Sequence, residues 1–217
     1  MPVSDNPKKD AVNIMLASIG EQPVNSLNSG LVDAEMAETI LDAQTREVQG
    51  VGWHFNTDFN KKHTPDASTG EITLPADTLN VDAVGQSKYT RLVQRGDKLY
   101  DPINHTYDIG SKYSEVYLDI VIELEFNKND ESKDSLPNYA RRYITVKAAR
   151  IFQSRVVGSE QLHSFTKEDE LEALFELKRK DAINEDISIF NNYDVYRVIH
   201  RGYPNLGSGS LRYASIV

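Results

Sequence analysis

The sequence predicts an α+β fold: a bundle of about four helices, drawn from the N- and C-terminal parts, with an inserted antiparallel β domain. Three observations carry the prediction. Apolar residues recur at helical spacing near the N-terminus and again from about 138 to 184. Period-two alternation governs the middle of the chain, most clearly over 115–126. Pro and Gly mark the places where one period gives way to the other.

The first helix carries Val12, Met15, Leu16 and Ile19 at i, i+3, i+4 and i+7, one buried stripe. Asn6 and Pro7 suit its start, Gly20 its end, and Pro23 prevents it from resuming. The second runs from about 33 to 49, after the Asn28-Ser29-Gly30 break. Its stripe is Ala34, Ala37, Ile40, Leu41, Val48 and Val51, with Glu35, Glu38, Asp42 and Arg46 outward and Gly50 and Gly52 closing it. Trp53, Phe55 and Thr57 then alternate with polar residues and predict a strand, followed by a loop over 60–66. Short strands are expected at 71–74 and 79–84, and a hairpin turns around Arg95-Gly96-Asp97-Lys98.

Over 115–126 the even positions Val116, Leu118, Ile120, Ile122, Leu124 and Phe126 are all apolar. Glu115, Asp119, Glu123 and Glu125 occupy odd ones, the pattern of a strand with one face buried and one wet. A third helix spans about 138–157 and stops at Gly158; a fourth begins near Thr166, a capping hydroxyl, and reaches about Asn184. The expected organisation is therefore 1–52 and 136–192 for the bundle, 53–135 for the β domain, and 193–217 for an extended C-terminal docking arm.

The 217 residues suffice for one large domain or two small ones. There is no Cys, which excludes disulfides and thiolate metal sites. No apolar run approaches the roughly 20 residues of a membrane span, and the N-terminus lacks a signal-peptide pattern. The net charge of −9 argues against a protein that grips phosphates. It suits solubility, or a conduit through which DNA slides without sticking.

The 5 histidines are scattered without metal-ligand spacing, and no nucleophile elbow, phosphate loop or dinucleotide fingerprint appears. No catalytic, cofactor-binding or metal residue is assigned, and no cofactor is expected. The acidic row Glu115, Asp119 and Glu123 reads as the wet side of a strand rather than an acid–base pair.

Surface chemistry is more telling. Arg141, Arg142, Lys147, Arg150 and Arg155 make the third helix basic, whereas Glu168, Asp169, Glu170, Glu172 and Glu176 make the fourth acidic. These fields oppose each other inside one subunit, or the basic face meets an acidic face on a neighbour. The candidate interface is Arg141, Arg142, Arg150, Arg155, Glu168, Glu172 and Glu176, joined by Tyr203 and Tyr213 of the C-terminal arm. That arm, rich in Tyr and β-branched residues, either covers its own domain or lies along a neighbouring subunit.

The order of several pieces carries a resemblance. Ala11-Val12-Asn13, Leu16-Ala17-Ser18-Ile19-Gly20-Glu21 and Pro23-Val24 precede a second helix and then Gly52-Trp53-His54-Phe55-Asn56. Gly70-Glu71-Ile72-Thr73-Leu74-Pro75-Ala76-Asp77 follows, then Leu136-Pro137-Asn138-Tyr139 opening a helix with Tyr143-Ile144-Thr145-Val146-Lys147-Ala148-Ala149-Arg150 and Phe152, then an acidic helix from about Lys167. Over roughly 8–190 this resembles the tail tubular protein A family, the head-to-tail adaptors of short-tailed, podovirus-type phages. The resemblance implies a structural virion protein, assembled in the host cytoplasm and resident in the tail. It implies a homo-oligomeric ring of twelve copies between the portal protein and the tail nozzle protein (tail tubular protein B), continuing the DNA channel. A tail fibre protein attaches in that family, and DNA passes without specific binding. Neither a membrane nor catalysis is implied. The competing expectation is a tail-associated glycan or peptidoglycan hydrolase, which would need two carboxylates in a cleft, one with a raised pKa.

Overall fold

Asn6 and Gly20 bound the first helix as their chemistry requires. In the computed structural model Asn6 Oδ1 accepts from the Lys9 amide at 3.0 Å, and Gly20 closes α1 (Pro7–Ile19) at φ 85°. The structure describes residues 6–27, 29–127, 135–158 and 160–185; for 86, 160–166 and 185 only the backbone is described. The predicted α+β class holds within them: four helices and antiparallel sheets, with helices α2 (Val32–Gln49), α3 (Asn138–Val156) and α4 (Glu160–Glu185). The arm at 193–217 lies outside the described residues.

The helices share one core. Val12, Met15 and Leu16 of α1 meet Ala37 and Leu41 of α2, Ile144, Ala148 and Phe152 of α3, and Leu177 of α4. Two expectations need correction here. Val51 is not part of the α2 stripe: it lies in the turn after the helix and is 69% exposed. The fourth helix starts at Glu160, not near Thr166, so Thr166 is interior to it.

The β residues form a three-stranded antiparallel sheet in the order β1 (Thr57–His63), β5 (Val116–Ile122), β2 (Thr78–Ala83). A separate hairpin joins β3 (Val93–Arg95) to β4 (Lys98–Tyr100) around Gly96 at φ 69°. The expected strand at 71–74 is only a bridge from Thr73 to Lys98. The expected strand at Trp53 is a short 3-10 turn, His54–Asn56, because Asn56 Oδ1 accepts the Trp53 amide and folds the chain back. The expected loop at 60–66 begins later, since pairing with β5 keeps the chain extended through His63.

β1 carries one extra residue against β5: Asp58 pairs with Ile120, but Lys61 pairs with Leu118. Asn60 sits in this bulge at φ 50°, its amide donating to Asp119 Oδ1 at 2.7 Å. Asp119, read from sequence as an ordinary wet residue, thus pins a bulge. Asp119→Ala should cost about 1–2 kcal/mol, whereas Asp119→Asn, which keeps an acceptor, should cost less than about 1. Urea unfolding of the two variants checks the difference.

The long alternation of 115–126 crosses two cores. Val116, Leu118 and Ile120 are fully buried with Ile72, Leu74, Leu99 and Ile109 in the β core. Leu124 and Phe126 belong to the helical core, and Ile122 packs against both. The opposite face is not wholly wet either. Val121 is buried, and a Cβ on Gly52, itself at φ 80°, would come within 3.0 Å of its side chain.

Candidate functional site

The junction between the cores is built from side chains that substitute for backbone. Gln49, the last residue of α2, is fully buried. Its Nε2 donates to the Leu124 carbonyl at 3.1 Å, and its Oε1 accepts the Leu124 amide at 2.8 Å. Asn56 Nδ2 donates at 3.0 Å to both the Gln49 and Ile122 carbonyls. Trp53 Nε1 donates to the Val48 carbonyl at 2.7 Å. β5 ends at Ile122 and α2 ends at Gln49, so both termini expose backbone groups that burial would otherwise leave unpaired. Sequence reading missed this clamp; its signal is a Gln one step beyond Val48, beside the apolar stripe.

The acidic row is divided among separate structural tasks. Glu115 pairs with Lys62 and accepts from the Tyr117 hydroxyl, Asp119 holds the bulge, and Glu123 pairs with Arg46 at 3.2 Å. Among the described residues, the carboxyl pKa values that depart clearly from the ordinary range all fall. Lys147 lowers Glu47, the Asn104 amide lowers Asp101, and Lys62 lowers Glu115. Ser68, with help from Thr69, pulls Asp66 down to about 2. No group of His, Cys, Asp and Glu fit to hold a metal ion occurs among the described residues.

The structure brings much of the candidate charge pattern together within one subunit. Arg142 of α3 reaches Glu172, at 3.3 Å, and Glu176 of α4. Arg150 pairs with Glu170, and Lys147 with Glu47 of α2 at 2.9 Å. Arg141 is buried, its guanidinium donating to Ser135 Oγ at 2.5 Å and Asn138 Oδ1 at 3.3 Å. Arg155 and Glu168 are exposed. Tyr203 and Tyr213 lie outside the described residues.

These pairs differ in worth. The Arg142 side chain is half exposed, so Arg142→Ala should change stability by less than about 1 kcal/mol. Arg150 and Glu170 keep only 22% and 16% side-chain exposure. Arg150→Glu would set two carboxylates against each other in that setting and should cost about 2 kcal/mol or more. Chemical denaturation of the two single variants checks the order.

Comparison with known proteins follows the same span. A family model described as tail tubular protein matches residues 9–187, through the bundle and the sheet alike. Tail tubular protein A of Klebsiella phage KP34 is 29% identical over 165 residues, covering 74% of this chain and 80% of that protein. The match stops short of 193–217, and it includes the Gly20, Trp53 and Asn56 positions that shape the fold. On this match the chain belongs to the tail tubular protein family and is a structural protein of a phage tail.

Proposed function

We propose that the protein is a head-to-tail adaptor: a ring, of twelve copies by family resemblance, between the portal and the tail nozzle protein, with a tail fibre protein attached. DNA passes through its lumen without specific binding. The observation that carries the reading is the family match over residues 9–187, which takes in both the helical and the β parts. The net charge of −9 supports the lumen role, since like charge keeps DNA from adhering to its conduit. A closed ring needs two different flanks per subunit that fit each other. Arg155, Glu168 and the arm tyrosines Tyr203 and Tyr213 are the proposed contacts, while Arg142, Arg150, Glu172 and Glu176 act through the α3–α4 pairing that shapes the flank. The organisation that goes with this reading is bundle residues 1–52 and 136–192, β domain 53–135, and docking arm 193–217.

No catalytic step is part of this proposal. A hydrolase of glycan or peptidoglycan needs a carboxylic acid held protonated, and among the described residues the clear carboxyl shifts run downward. The test is a phage lacking this gene, grown with and without the protein supplied in trans. DNA-filled heads without tails, rescued by the protein, are expected. Normal tailed particles in its absence would overturn the adaptor reading.

A further inference from the structure

The outward face of α4 is chemically unlike a solvated helix surface. Its inward residues Ala173 and Leu177 are buried in the helical core. On the opposite side Leu171 is 56% and Phe175 77% exposed, one turn apart. The residues on that side run Glu168, Leu171, Phe175, Lys178, Ala182, a spacing of three, four, three and four that makes a straight seam along a helix. All five are exposed. The two charges on the seam are sorted: Glu168 lies before Phe175, and Lys178 lies after it.

We propose that this seam docks a second copy of the chain, α4 against α4, antiparallel about a two-fold axis level with Ala173. In that register Leu171 of each copy packs on Phe175 of the other. Glu168 faces Lys178 of the second copy. Each favourable contact occurs twice, as a two-fold interface requires. The sorted charges select this arrangement over its alternative. A parallel pair would set Glu168 against Glu168 and Lys178 against Lys178. In the antiparallel pair the two Lys178 residues stand about 15 Å apart along the axis, at 1.5 Å per residue, beyond a Debye length of about 8 Å.

The seam from 168 to 182 is about 21 Å long, so the contact falls at the small end of specific interfaces, below about 1,200 Å². The association is accordingly reversible, with a dissociation constant on the order of micromolar or weaker. It is a state of the free protein and does not rest on the ring reading, whose contacts are head-to-tail rather than two-fold.

Sedimentation equilibrium of the purified full chain, over a concentration series at low and high salt, tests the proposal. The wild type should interconvert between one and two copies, with weaker association at high salt. Phe175→Ser and Lys178→Glu should each weaken association by about tenfold or more, with unchanged melting temperature because both side chains are exposed. Glu168→Lys combined with Lys178→Glu should restore it, since one chain then carries both halves of the swapped pair. A monomeric wild type, association indifferent to Phe175→Ser, or a double variant no better than Lys178→Glu would overturn the proposal.

Discussion

Ile120→Asp is expected to leave the protein largely unfolded at room temperature. Ile120 lies at the centre of β5, fully buried, with β1 and β2 paired on either side. The side chain sits among Val116, Leu118, Leu99 and Ile72, a cluster of apolar side chains. Burying that group, or protonating it to avoid the charge, costs several kcal/mol, and the lost packing of the sec-butyl side chain adds about 2–5 more. Against a total stability of about 5–15 kcal/mol, little remains. Circular dichroism of the variant should show lost sheet signal and no cooperative melt. Asp119→Asn, the next residue on the other face, should melt close to the wild type. Equal melting shifts for the two would sink the strand assignment.

Gln49→Leu should be the most damaging change that keeps a side chain's volume. It removes the donor and the acceptor that satisfy the Leu124 carbonyl and amide, and leaves both buried groups without their partner. Each such orphan costs about 1–3 kcal/mol, so the sum is about 2–6 kcal/mol. For a chain of this size that lowers the melting temperature by roughly 4–24 °C. Calorimetry should show one transition at lower temperature. An unchanged melt would mean that the junction is held by Trp53, Asn56 and Ile122 alone.

What could be read from the chain depended on whether a residue's role is local. Asn6 caps α1 with an amide three residues away, and Gly20 closes it with its own backbone, so both ends were legible. The β5 alternation was legible because a strand puts every second side chain on one face. The turn at 54–56 was not, because Asn56 acts through carbonyls of Gln49 and Ile122 that only the fold brings near. The persistence of β1 through Lys61-Lys62-His63 was hidden for a similar reason: those polar residues sit on an edge strand, where charge is tolerated and pairing sets the conformation. The opposite charges of the third and fourth helices were visible in sequence, but not which of them are spent within the subunit. Arg142 and Arg150 turned out to face α4, and Arg141 to be buried beside Ser135. Charge sign is a property of the residue, whereas burial belongs to the packing of α3 on its neighbours.

The adaptor reading stands or falls on what the protein builds with its proposed partner above. Purified protein mixed with the portal protein, and imaged by negative-stain electron microscopy beside each component alone, gives the most direct answer. The account predicts a ring of this chain seated coaxially on the portal, with a central opening wide enough for duplex DNA. A protein that stays free of the portal at micromolar concentration, or binds it as scattered single copies with no ring, would contradict it.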